Sequence, residues 1–538
     1  MEKLFLNIKL RGCIFMRKSL VLVSVIALMV VLTISLFAGE TPKKGGTFII
    51  AHWGDPISFN PDAKVDDAGN GIYGCIFSKL VTLDADYNVI PDLAESWEVS
   101  NDGLTYTFHL RKNVKWHDGT PFTSADVVWT LNQIKSHKEA PAYRNLVDVD
   151  TVEALDDYTV VVKMKKPYAP FLGFLAWYGT WIMPKHLYDI TEDGSPVDWL
   201  NNPYNQKPVG TGPFKFVEWV KGDHVTLEKN PDYFLGEPYV DRIIFKIIPD
   251  ENTALQAFLN GEVDYDGNVS NAQIATLKRI PGVVVYQKPL PSRYYMGYNV
   301  ARRESPFNKK EVRFAVAHAL NRQEIFEKAI KYGKVAEGFY TPAIPWAYNP
   351  DAKVPEYNLE LAEKMLDEAG YPRKEDGYRF NAVLVYFQGQ EWRDMSTIIK
   401  EQLDKVGIKV KLEEYEIAAY IEKVLKAGDF DLTVLDGFQG PDPDNLKLRV
   451  GTGGDINVMG YSNKEVDELL EKGGELSDIN ERAKYYFKVQ EILAQDLPMY
   501  PIAEVSYSYV HKDYVKNLPY QLVGTVGSNN YAKVWLDK

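Results

Sequence analysis

Cysteine is nearly absent: the 538-residue chain has two, Cys13 and Cys75. Cys13 precedes a long apolar run, so a chain cut after that run keeps Cys75 alone and can form no intramolecular disulfide. Histidine is scarce too. The eight residues stand at 52, 109, 117, 137, 186, 224, 318 and 511, with no pair at metal-binding helical spacing and no Cys-x-x-Cys. A structural zinc site is therefore not expected. There is no G-x-S-x-G nucleophile elbow. The segment Val209-Gly210-Thr211-Gly212-Pro213-Phe214 lacks the Gly-Lys-Ser/Thr of a phosphate loop and runs straight into a strand pattern, so it reads as a turn. Positive charge is in deficit, with a formal net charge of -13. The first 38 residues hold Lys3, Lys9, Arg11, Arg17 and Lys18 against Glu2, so the remainder is more acidic still. That argues against nucleic acid or an anionic membrane as the main partner. Internal repeats, low-complexity runs and long linkers are missing as well. No enzyme chemistry, cofactor or metal is expected from these residues.

What is present is length for two or three domains and an aromatic surplus of 34 Tyr and 11 Trp. Most such rings are core, and an excess also suits a cleft for an extended polar ligand. Met16-Arg17-Lys18 leads into the apolar stretch Leu20 to Phe37, closed by Ala38-Gly39-Glu40. Residues 1–38 therefore read as a secretory signal, with Met16 an alternative start. Leu36 is a poor residue three places before a cut, so an uncleaved N-terminal membrane anchor stays open. No Cys follows the run for lipid attachment. The protein is expected outside the cytoplasm, in a periplasm or at a cell surface.

The chain is organised around Asp92 to Leu131. Leu104, Tyr106, Phe108 and Leu110 alternate with polar partners between the turns Asn101-Asp102-Gly103 and Asp118-Gly119. Thr123 is a predicted N-cap with Asp126 as its capping-box acid. Further on, the spacing predicts a helix over 72–81 and another over 252–260. Asn308 with Glu311, and Asn321 with Glu324, read as helix caps, and Asn358 opens a further helix. Phe171, Phe174, Trp177, Tyr178 and Trp181 form an aromatic cluster, read as satellite core more than ligand wall. Strands at 382–387, 408–412 and 432–435 alternate with helices, which indicates an α/β lobe.

The run LAESWEVS…DGLTYTFHLRKNVKWHDGTPFTSADVV is similar to the signature region of family-5 extracellular solute-binding proteins, the peptide/nickel-type receptors of ABC importers. Two later blocks resemble the family in order: VGTGPF…NPDYF…DRIIFKII…LNGEVD and PFNKKEVRFAVAHALNRQEI. The resemblance implies an α/β, two-lobed periplasmic-binding-protein fold (type II, cluster C-like) with three structural domains. Domain I would comprise 39–83, 207–298 and 505–538, domain II 84–206, and domain III 299–504. It further implies a monomeric receptor that closes on a ligand and docks on a permease coupled to ATPase subunits. A secreted hydrolase, or a binding protein feeding a sensor, are the alternatives.

For the ligand, the strand and loop from Asp429 to Asn445 carry most information. In the family's peptide binders an Asp of this loop pairs with the ligand ammonium. Here Gly440-Pro441 stands in its place, with Asp436 or Asp442 as substitutes. Arg393 resembles a position near which dipeptide binders carry an Arg for the ligand carboxylate. The expected ligand-binding set is Trp53, Asn60, Trp392, Arg393, Asp436, Phe438, Gln439 and Asp442. A short oligopeptide and a short oligosaccharide remain open as ligands.

Overall fold

The alternation at Thr105–Leu110 becomes a strand that buries Tyr106, Phe108 and Leu110 and leaves Thr105, Thr107 and His109 half-exposed. In the computed structural model, which describes residues 41–63, 66–177, 179–189, 198–199, 201–267, 269–270, 273–519 and 530–538, it is one of four antiparallel strands. Their order is Ala94–Val99, Thr105–Leu110, Thr159–Met164, Val149–Asp156. Helix Ser124–Ser136 follows, and the Asp126 carboxylate accepts from the Thr123 N–H at 3.0 Å, closing the expected capping box. The segment read as a secretory signal, Cys13 and Tyr178 lie outside the described residues. Among those described, no helix is long and apolar enough to cross a membrane.

Beside two small two-stranded sheets, a larger sheet has eleven strands. From one edge it runs Ile408–Tyr415, Phe380–Phe387, Leu432–Phe438, Val283–Tyr298, Met499–Lys512, Tyr265–Asp266, Thr47–His52, Arg242–Ile247, His224–Lys229, Phe214–Val220, with Lys334–Val335 beside Met499–Lys512. Its flanks bury two main cores. Phe48, Phe59, Trp116, Trp181 and Phe214 belong to one. Tyr298, Phe307, Leu384 and Tyr486 belong to the other. Two long strands pass between them: Tyr286 and Tyr509 pack in the first core, Tyr295 and Tyr500 in the second. The pairing of these strands is irregular between Pro289 and Arg293 and again at Tyr294/Tyr295. Two lobes thus share a sheet whose pairing is interrupted where it crosses.

Two sequence expectations are corrected. The helix expected over 72–81 spans Asp67–Ile76, because Asp66 caps it by accepting from Gly69 N–H at 2.8 Å. The chain is then extended, with Lys79 N–H donating to Asp92, before the strand Val81–Leu83. The glycines at 69, 71 and 74 hid the true start. Asn308 is not a helix cap: Pro306 opens a short 3-10 turn, Pro306–Asn308, and the helix begins at Lys310. Asn321 and Asn358 cap as expected, accepting from Glu324 and Leu361 N–H groups at 3.1 and 3.0 Å.

The Val209–Phe214 segment needs its glycines for close backbone approach. A Cβ on Gly210 would lie 1.8 Å from the Ile76 carbonyl oxygen, while the Gly212 N–H donates to that same oxygen at 2.8 Å. Gly210→Ala is expected to cost about 1–3 kcal/mol, seen as a lower urea midpoint. An unchanged midpoint would mean that the turn yields freely.

Candidate ligand-binding cleft

Open α/β sheets present ligand groups beyond the carboxyl ends of their parallel strands. Phe380–Phe387 and Leu432–Phe438 are parallel neighbours, and both end at the inter-lobe cleft. The second of these strands sets Asp436 opposite Tyr294 of Val283–Tyr298. The first leads through Gly389, at φ +146°, into helix Gln390–Lys405. Only glycine takes that angle without strain, and the turn brings Glu391 and Trp392 against Tyr294. The Trp392 ring stands edge-on to Tyr294 and to Phe387, each at 5.5 Å.

The electrostatics of this recess are unusual. Loss of hydration pushes the Glu391 carboxyl up to about 7, a hydrogen bond from Tyr294 opposes the rise, and the nearby Asp436 and Asp394 add to it. Glu391 Oε1 is buried with no hydrogen-bond partner. Asp436 is accessible to water but walled by protein, and lost hydration raises its carboxyl above the usual Asp value, with the Arg449 guanidinium pulling it down. A positive group arriving between the two acids would relieve both.

Cavities open on either side. One of about 510 Å³ is walled by Glu251, Tyr507 and Ser508 from the first lobe and by Lys331, Glu391 and Asp394 from the second. The other, about 590 Å³, lies between Tyr168, Phe174 and Trp177 and the segment Asp444–Arg449. Both fall in the size range of small-ligand sites.

The expected site residues separate into groups. Asp436 and Trp392 meet at Tyr294, as described. Gln439 is 3 % exposed, its N–H donating to Pro291 O and its carbonyl accepting from Tyr340 at 3.1 Å. Phe438 ends its strand, and its side chain lies outside the described set. Asp442 is engaged elsewhere: both its oxygens accept from the Arg482 guanidinium, at 2.8 and 2.7 Å. Asn60 is buried in the first lobe, its Nδ2 donating to Trp199 O at 2.9 Å. Trp53 is 48 % exposed beside His52 and is not among the residues lining either cavity. Arg393 points to solvent, where Nη2 and Nε donate to Glu414 at 2.6 and 3.1 Å. Arg393→Ala is accordingly expected to change stability by less than about 1 kcal/mol and ligand affinity by less than threefold, measured by denaturation and calorimetry. Phe171, Trp177 and Trp181 are core, with Phe174 packed against them, and Phe174 and Trp177 also line the second cavity.

Sequence reasoning missed Glu391, Tyr294, Arg449 and Tyr168. Glu391 had one signal, its place next to Trp392 at the start of a helix after a buried strand. Tyr294 and Arg449 reach Asp436 only through tertiary contacts within the second lobe, and Tyr168 reaches Asp444 only where the lobes meet.

Comparison with known proteins agrees with this geometry. A family model described as bacterial extracellular solute-binding proteins, family 5, matches residues 88–457. The oligopeptide-binding protein AppA of Bacillus subtilis is 33% identical over 480 residues, covering 85% of this chain and 86% of AppA. The structure of AppA from Bacillus subtilis in complex with a nonapeptide superposes with a TM-score of 0.76 at 30% identity, over 93% of this chain and 100% of that one. The ABC transporter substrate-binding protein CtaP of Listeria monocytogenes gives a TM-score of 0.83 at 28% identity, over 92% and 100%.

Proposed function

The chain belongs to the bacterial extracellular solute-binding proteins of family 5, and on that footing we propose that it is the receptor of an ABC importer, capturing a short oligopeptide between its lobes. The family is one of solute-binding receptors, and the protein's task is capture without chemical conversion. Closure about the paired strands Val283–Tyr298 and Met499–Lys512 would bury the ligand, and the closed form would dock on a membrane permease driven by ATPases. Work done by the ligand is its preference for the closed form. The protein would act outside the cytoplasm as a monomer, sent there by its N-terminal segment, in line with the family's extracellular character. The three-domain division at 83/84, 206/207, 298/299 and 504/505 belongs to the same proposal.

One observation carries the peptide reading: the acid recess at Asp436 and Glu391, which borders a cavity walled from both lobes. An α-ammonium placed there recovers the electrostatics that the loop lost with its own acid. The Gly440-Pro441 exchange favours a second reading, a short uncharged oligosaccharide. Thermal unfolding of the secreted domain against di- to nonapeptides and α- and β-linked oligosaccharides separates them. A ligand at a hundredfold excess over its Kd stabilises by about 2.7 kcal/mol. A shift with peptides alone supports the proposal; a shift with sugars alone replaces it with the second reading.

A further inference from the structure

The cavity of about 590 Å³ has a construction of its own. On the first lobe Tyr168, Phe174 and Trp177 form a ladder of rings. Tyr168 and Phe174 are nearly parallel, 2° apart with centroids at 6.2 Å; Phe174 and Trp177 lie 29° apart at 6.1 Å. Facing them on the second lobe are Leu448, half-buried, and Ile456. The charged residues at the rim are mostly spent on one another. Asp444 accepts from the Tyr168 hydroxyl at 2.8 Å and pairs with Lys447 at 3.0 Å. Glu471 pairs with Lys447 at 3.3 Å and also with Lys166. The Tyr168–Asp444 and Lys166–Glu471 ties run between the lobes, as does the Ala169 N–H bond to Gly474 O at 2.8 Å. Arg144, Asp148 and Asp455 also stand at the lining, around a wall of aromatic and aliphatic surface.

The chamber is also joined to the acid recess. Arg449 lines it, and its charge acts on both Tyr295 and Asp436. A peptide whose ammonium sits at Asp436 therefore runs past Arg449 toward the ladder. We propose that this chamber is the pocket that sets ligand preference, taking one bulky aromatic side chain of the bound peptide and stacking it on Phe174 and Trp177. The inference rests on the peptide reading above. Offset-stacked rings at such separations attract beyond the area they bury. The two walls belong to different lobes, so an aromatic occupant binds the closed form in preference to the open one and draws the lobes together.

The test is calorimetry on the full secreted domain with alanine tetrapeptides in which one position at a time carries Phe, Trp, Lys or Asp. At one position Phe and Trp are expected to bind at least about tenfold tighter than Ala, while Lys and Asp gain nothing. Leu448→Trp, which fills the chamber from the opposite wall, should bring the Phe-to-Ala affinity ratio to about one. Phe174→Ala, at a half-buried position, should lower the same ratio about tenfold. Equal affinities across the series, or a ratio untouched by both variants, overturns the inference and leaves the peptide reading standing. Failure of every tetrapeptide to bind, with sugars binding instead, overturns both.

Discussion

Glu504→Ala is expected to destabilise the protein by about 3–5 kcal/mol, because it strands a buried guanidinium. Arg293 is fully buried and Glu504 nearly so, with Nη2 to Oε1 at 2.7 Å and Nη1 donating to Gly338 O at 2.6 Å. The two residues face each other in the register of the paired long strands, right where that register shifts. Burial holds the Arg293 guanidinium below its usual range and pushes the Glu504 carboxyl up; each is countered by the other's charge. Loss of hydration is thus the leading effect on both partners, and the pair adds little net stability over a hydrophobic replacement. The single and double changes should then diverge. Arg293→Met with Glu504→Leu is expected to recover most of what Glu504→Ala loses. Guanidinium denaturation of the three variants reads this directly. A loss below about 1 kcal/mol for Glu504→Ala would show that water reaches the crossing. A functional consequence follows from position. The pair ties together the two strands that join the lobes, the place about which closure is proposed.

How much of this was readable without coordinates depends on the range of the interaction. The alternation of Tyr106, Phe108 and Leu110 and the Thr123–Asp126 box are local, and they came out as read. The helix at Asp67–Ile76 is also local but was misplaced, since three glycines weaken the pattern whereas one Asp66 cap fixes the start. Pro306 shifted the cap expected at Asn308 by making a turn of its own. In the cleft, Asp436 stands out because it sits near the end of a buried strand, and the structure sets it opposite Tyr294. The fate of Asp442 could not be read, since its partner Arg482 is 40 residues away. Tyr168 and Asp444 are separated by 276 residues, and no periodicity links them. Likewise the weakened acidity of Glu391 arises from its burial in the fold and from Asp436, which is not its chain neighbour.

That acidity makes ligand binding depend on pH in a direction that can be worked out. With its carboxyl near 7, Glu391 is largely protonated at pH 6 and ionised at pH 8. An ammonium binds the ionised form, and the peptide's own α-amino group begins to lose its proton near pH 8, so affinity for a peptide with a free N-terminus should rise roughly three- to fivefold from pH 6 to pH 8. An N-acetylated peptide should show no such slope, and Glu391→Gln should flatten it. Asp436→Asn removes the other acid and is expected to weaken binding of the free peptide about ten- to hundredfold, the scale of a lost charged hydrogen bond. Stability of the empty protein should run the opposite way. The folded-state value lies above the ordinary 4.5 of a free Glu. Its contribution to stability is therefore complete below about 4.5 and is lost as pH rises through 7. A cationic ligand restores what is lost, so ligand-induced stabilisation should be larger at pH 8 than at pH 6. Calorimetry and thermal unfolding at the two pH values measure both trends on one sample. Parallel slopes for the free and acetylated peptides would place the ammonium away from Glu391, and the peptide would then lie in the cleft in another orientation.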